Sequence, residues 1–189
     1  LIAIASKAYK EDNKLANDTA VVTVMSNLGF FHFAKANGIK VVAANVGDRY
    51  VLEKMLESGH IIGGEQSGHI IFLEHATTGD GELSAAKILE ILCKSGKKMS
   101  ELASIMEKFP QVMINVKISA KDREVWKNDF VITGLIEKYE ETLGDSGRIL
   151  VRESGTEPLI RVMIEGKDFK QINQMAMKIA DTIKNRVGR

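Results

Sequence analysis

Runs rich in β-branched residues alternate with stretches of helical period over the first hundred or so residues, and no other feature of this sequence restricts the fold as much. Residues 19–25 (TAVVTVM) and 39–44 (IKVVAA) are short and apolar, as strands buried on both faces are. Between and around them, apolar residues recur at helical spacing. Leu1, Ile4, Ala5 and Ala8 mark one helix face. A second helix runs from about Leu28 to a stop at Gly38. A third is expected to start at Asp48, read as an N-cap worth about 1 kcal/mol, and to end at Gly59. Residues 60–74 read as two short strands separated by GGEQSGH. Ala85, Ile88, Leu89 and Leu92 form the next helix face behind a cap at Asp80. Ser100 is expected to cap a shorter helix facing inward through Leu102, Ile105, Met106 and Phe109. Strands alternating with helices predict an α/β layer on a mostly parallel sheet.

The rhythm changes at Pro110. Residues 112–118 alternate as a strand, and Ile132, Leu135, Ile136, Tyr139 and Leu143 make a helical stripe ending at Gly144. Two further strands, 148–151 and 159–165, are joined by RESGTEP, and Ile172, Met175, Ala176, Ile179 and Ile183 line a last helix. That order, β-α-β-β-α, predicts a small α+β domain. The expected division is therefore 1–109 and 110–189.

Charge narrows the function classes. The chain's 26 basic and 25 acidic residues nearly cancel, without the basic excess of a nucleic-acid binder, so no such partner is expected. Apolar runs are short and interrupted, the opening residues lack a leader pattern, and Cys93 is the sole cysteine. A cytoplasmic chain with no membrane partner, disulfide or multi-cysteine zinc site is expected.

Two loops carry chemistry. In residues 152–158 (RESGTEP), Arg152 offers a bidentate guanidinium, Ser154 and Thr156 offer hydroxyls, and Gly155 would let backbone N–H groups turn inward as an anion nest. Arg161, in the following strand, could strengthen the positive field. A phosphate grip and a polar hairpin turn fit these residues equally well. In residues 63–69 (GGEQSGH), the glycines permit close approach of a ligand. Glu65 can accept from two sugar hydroxyls or an amine, and Ser67 and His69 can donate or accept. A polyol fits this set better than a metal, although a plain glycine-rich turn is the commoner use of such a segment. Residues 26–29, 46–49 and 64–69 each follow an expected strand and could share one rim of the sheet, where open α/β sheets bind ligands.

Taken together, VGDRYV, GEQSGH, TTGDG and RESGTEPLIRV resemble the phosphohexomutase superfamily, most closely its branch acting on glucosamine phosphates. The resemblance covers residues 1–187. It implies the third and fourth of four domains around a cleft: a mixed α/β/α layer with the sugar loop, then a TATA-binding-protein-like α+β domain with the phosphate loop. Glu65, Ser67 and His69 would read the sugar, with Arg49 of VGDRYV able to face the cleft. Arg152, Ser154, Gly155 and Thr156 match the phosphate grip, with Arg161 as helper. The implied reaction interconverts glucosamine 6-phosphate and glucosamine 1-phosphate through a bisphosphate, using a phosphoserine and Mg²⁺ held by a DxDxDR loop.

This chain holds neither a TASHNP-like serine loop nor DxDxDR, so no catalytic residue, metal ligand or cofactor is expected within it. Those parts, and the Mg²⁺ with them, are expected in N-terminal domains preceding Leu1, which falls where the metal loop of such enzymes ends. Glu153 departs from the proline usual in the phosphate motif and would set a negative charge beside the site. Mutases acting on mannose or glucose phosphates, and a non-catalytic phosphosugar-binding module, are the alternatives.

Overall fold

The computed structural model describes residues 1–119, 125–155 and 157–187, which form two compact units, Leu1–Lys108 and Phe109–Arg189. In the first unit, β1 (Thr19–Thr23) is buried at all five positions because helices cover both sides of it. It pairs in parallel with β2 (Lys40–Ala44) and with β3 (Ile62–Gly64), and β4 (Ile70–Phe72) returns antiparallel to β3, giving the order β2-β1-β3-β4. Alternate side chains of β1 enter different cores. Ala20 and Val22 pack with α1 (Ile2–Glu11), α2 (Leu28–Ala36) and α4 (Gly81–Ser95), through Ile4, Phe30, Phe33 and Ile88. Val21 packs with Val51 and Met55 of α3 (Asp48–Ser58). The result is the mixed α/β/α layer that the resemblance implies, with the mostly parallel sheet that the alternation predicts.

Local details differ in several places. The N-cap of α3 is Gly47, and Asp48 is already helical, its Oδ1 accepting from the Arg49 N–H at 2.8 Å. Gly59 does end that helix, in the left-handed conformation. Asp80 caps α4 as expected, accepting from the Leu83 N–H at 2.9 Å. The buried side of α4, however, centres on Ser84 and Ile88, with Leu83, Ile91 and Leu92 half-buried, whereas Ala85 and Leu89 are exposed. Helix α5 (Met99–Ala103) starts behind Lys98 rather than Ser100, because Glu101 reaches back to the Lys98 N–H at 2.7 Å. It stops well short of Phe109, which as the residue before Pro110 is disfavoured in a helix.

The second unit has a three-stranded antiparallel sheet in the order β5-β7-β6, from β5 (Gln111–Lys117), β6 (Gly147–Glu153) and β7 (Leu159–Gly166). Helices α6 (Phe130–Leu143) and α7 (Phe169–Val187) cover one face, where Val116, Ile160, Val162 and Ile164 meet Ile132, Ile172, Ile179 and Ile183. Each such fully buried aliphatic side chain contributes roughly 1.5–3 kcal/mol. Asp129 caps α6 through the N–H groups of Val131 and Ile132, and its other oxygen binds Arg186 Nε near the end of α7 at 2.5 Å. The element order is β-α-β-β-α, but β6 runs two residues past Val151 and takes Arg152 and Glu153 into the sheet. Among the described residues no helix is long and apolar enough to cross a membrane.

Candidate functional site

Because β1, β2 and β3 are mutually parallel, the loops after Thr23, Ala44 and Gly64 leave the same edge of the first sheet. The third of them is the turn of the β3–β4 hairpin. Strand β3 lies so close to β4 that a Cβ on Gly64 would stand 2.4 Å from the His69 carbonyl oxygen, well inside contact distance. Only glycine permits that approach, and it lets the Glu65 N–H donate to the same carbonyl at 3.0 Å. The Gly68 N–H closes the turn onto the Glu65 carbonyl at 3.2 Å, with Gly68 at φ +107°.

This geometry gathers the three expected sugar-reading side chains on one atom. Glu65 Oε1 accepts from the Ser67 hydroxyl at 2.6 Å and lies 3.0 Å from His69 Nδ1. The Glu65 side chain is 11% exposed and that of His69 57%, so the carboxylate anchors the turn while the imidazole reaches solvent. Oε2 of Glu65 has no protein partner among the described residues and can accept from a hydroxyl or an ammonium. With its proton committed to Glu65, the Ser67 oxygen is free to accept. Arg49 does not join the cluster. It sits in the first turn of α3, with Nε 2.9 Å from Glu53 Oε1 and a side chain 82% exposed. A cavity of about 470 Å³ elsewhere in this unit, lined by Tyr9, Glu74 and Lys87 among others, contains none of the expected site residues.

In the second unit, Arg152 of β6 stands directly opposite Arg161 of β7. Cross-strand partners project from the same face about 5 Å apart, and like charges so placed repel. Both guanidinium Nε atoms are buried without a hydrogen-bond partner. Burial, and then the neighbouring Arg161 charge, push the Arg152 pKa below its ordinary value. The polar contacts these guanidinium groups do make are loose: Arg152 Nη1 to the Glu153 carbonyl at 3.3 Å, and Arg161 Nη2 to Glu157 Oε2 at 3.6 Å. Two crowded, half-buried cations with unused donors suit an anion that accepts from both.

Around this pair, Ser154 is buried. Its N–H donates to the Leu159 carbonyl at 2.9 Å, and its Oγ accepts from the Glu157 N–H at 3.3 Å, leaving the hydroxyl proton to donate. Gly155 is exposed, with open space where a Cβ would stand. Its φ is not left-handed. Thr156 lies outside the described residues. Glu153 does not set its charge beside the arginines. Strand alternation turns it to the opposite face, where Oε1 meets Lys127 Nζ at 2.7 Å.

The described residues hold no group of three or more His, Cys, Asp or Glu placed to bind a metal, and the Asp80 carboxylate of TTGDG is used in capping α4. The described residues do not fit Mg²⁺.

The pattern described as phosphoglucomutase/phosphomannomutase, alpha/beta/alpha domain III matches residues 1–109, and that of the C-terminal domain matches residues 113–182. The phosphoglucosamine mutase of Acetivibrio thermocellus is 53% identical over 188 residues, and that of Caldanaerobacter subterraneus subsp. tengcongensis 50% over 187; these alignments cover 100% and 99% of this chain. The chain spans 42% of the length of each of these curated relatives. Among solved structures, an Aspergillus fumigatus N-acetylphosphoglucosamine mutase superposes with a TM-score of 0.77 at 18% identity, covering 97% of this chain and 42% of that one. A second structure of that enzyme, in complex with GlcNAc-6P and magnesium, gives 0.70 at 19% identity, covering 97% and 43%. The chain belongs to the phosphoglucomutase/phosphomannomutase family, of which it carries domain III and the C-terminal domain.

Proposed function

We propose that this chain is the sugar- and phosphate-gripping part of a phosphoglucosamine mutase, a protein that interconverts glucosamine 6-phosphate and glucosamine 1-phosphate by phosphoryl transfer through a bisphosphate. The observation that carries the reading is the Arg152–Arg161 pair, half-buried and facing, with unpartnered Nε atoms. Such a pair is costly unless a dianion occupies it, and a phosphate monoester is one. The second support is the Glu65, Ser67 and His69 cluster at the carboxyl edge of the first sheet, a set of acceptors suited to hydroxyls and an amino group. Relatives about half identical to this chain are phosphoglucosamine mutases, which favours the amino sugar over mannose or glucose phosphates. Glu65, Ser67 and His69 are assigned to the sugar, with Arg49, which pairs with Glu53 outside their cluster, as a further contact, and Arg152, Ser154, Gly155, Thr156 and Arg161 to the phosphate that is not transferred. In phosphoryl transfer, catalysis comes mainly from positioning and charge stabilisation, and positioning is the part these residues supply. The nucleophile and the metal ligands come from elsewhere in the whole protein, since this sequence has neither motif.

The test is a titration of the chain with glucosamine 6-phosphate, followed by amide NMR shifts, with the same sample assayed for glucosamine 1-phosphate. Shifts clustered at residues 65–69 and 152–161, with no product, are expected. Equal shifts with mannose 6-phosphate would move the substrate assignment to the broader hexose phosphates. Product from verified pure chain would overturn the division of labour.

A further inference from the structure

The strand register places two more polar residues beside the arginine pair. Asn115 of β5 is the direct partner of Arg161, so Asn115, Arg161 and Arg152 form one row across the sheet, all on the face opposite α6 and α7. Lys117 lies two residues further along β5, opposite Leu159 and diagonal to Arg161. Diagonal neighbours are about 7–8 Å apart, within the reach of a lysine side chain. Both are exposed, and neither makes a side-chain hydrogen bond or ion pair among the described residues.

We propose that the phosphate site extends across the sheet onto β5, with Asn115 donating to the ligand and Lys117 supplying a third cation. This inference rests on the phosphate reading of Arg152 and Arg161. The charges on the face support it. Among the described residues, Lys117, Arg152 and Arg161 are opposed at this end of the sheet only by Glu157, 3.6 Å from Arg161 Nη2. Glu165, on the same face four residues along β7, is already held by Arg148 at 2.7 Å, and Glu153 is turned to the other face with Lys127. Among these described groups, three positive charges against one leave a surplus of two, matching the charge of about −1.5 to −2 on a phosphate monoester at pH 7. An amide suits the far end of the row, since it can accept from Arg161 and donate to an anion oxygen at once.

Calorimetric titration of the chain with inorganic phosphate and with glucosamine 6-phosphate tests the extension. Lys117→Gln should weaken both about fivefold at low salt, as for a partly screened charge pair, with the deficit shrinking at high salt and Lys117→Arg restoring affinity. Asn115→Ala should weaken both about threefold at either salt concentration, the effect of one modest hydrogen bond. Lys178→Gln, on α7 across the sheet, is the charge control and should match the unaltered chain. Arg152→Met and Arg161→Met should each cost tenfold or more, as for a charge-assisted contact. If the arginine variants weaken binding but Lys117→Gln and Asn115→Ala do not, the extension is refuted and the phosphate reading stands. If Lys117→Gln acts no differently from Lys178→Gln, its role is refuted as a general charge effect. If the arginine variants bind normally, or the unaltered chain binds neither ligand, the underlying reading fails.

Discussion

Replacing Arg152 with methionine should make the second unit more stable without phosphate and less stable with it. Methionine keeps most of the apolar stem that packs beside β7 and removes the charge. At a separation of roughly 6 Å in a water-like medium, two guanidinium charges repel by about 0.7 kcal/mol. Half-burial strengthens that repulsion and salt screens it, so relief of about 0.5–1 kcal/mol is expected, with the desolvation cost of the charge removed as well. For a unit of this size, 1 kcal/mol moves the melting temperature by about 4–8 °C, so the variant should melt roughly 2–8 °C higher in phosphate-free, low-salt buffer. A ligand at ten times its Kd stabilises the native state by about 1.4 kcal/mol, which the wild-type chain gains and the variant largely loses. The two melting curves should therefore cross as phosphate is added. Trp126, the only tryptophan, is buried in the core of the second unit, and its fluorescence reports that unit alone. A variant that melts lower without anion would show that packing outweighs repulsion. An equal phosphate shift in both proteins would show that Arg152 does not hold the anion.

Glu65→Gln should impair glucosamine 6-phosphate binding while leaving inorganic phosphate binding intact, because the carboxylate organises Ser67 and His69 of the first unit whereas the arginine pair belongs to the second; equal loss of both ligands in a calorimetric titration would count against the division of roles. Glu165 is fully buried against Arg148, so Glu165→Ala should destabilise the second unit by about 3 kcal/mol, read from the midpoint of urea unfolding, the cost of breaking a buried ion pair by removing one partner. The Arg186 guanidinium, then the Ile132 and Val131 N–H groups, outweigh desolvation and hold the Asp129 carboxyl below its usual range. Its contribution is therefore complete above the unfolded carboxylate pKa of about 3.9 and is lost as pH falls through the lower folded value. Asp129→Asn should flatten that acid limb of the Trp126 melting profile, and an unchanged limb would contradict the assignment.

Periodicity carried most of the fold, since the β-branched runs and helical stripes fall on real strands and helices to within a few residues. The failures are local and share a cause. Asp48 and Ser100 have the chemistry of caps, yet the cap position shifted by one or two residues, because Glu101 and the backbone at Gly47 compete for the same role. The stripe on α4 is turned because Ser84, a polar residue, takes an inward position, its hydroxyl donating to the Asp80 carbonyl at 2.6 Å. Within the site, Glu65, Ser67 and His69 were legible as one segment because a hairpin brings sequence neighbours together. The harmlessness of Glu153 follows from period two once β6 is extended through it. Asn115 could not be read in this way: it lies 46 positions before Arg161, and only the register of β5 against β7 joins them.

The hairpin under the sugar loop also governs how this surface can diverge. Ile62, Gly63 and Gly64 pair with Phe72, Ile71 and Ile70, so the turn is clamped at both feet inside the sheet. Adding or deleting one residue there would break parity. Ile70 and Phe72 would trade places with Ile71, and the side chains now divided between two cores would face the wrong ones. Selection can therefore exchange letters at positions 65–67 and 69 more readily than at Gly68, which holds φ +107°, but length only in steps that preserve the alternation. A lineage changing its sugar would do so by spelling rather than by insertion.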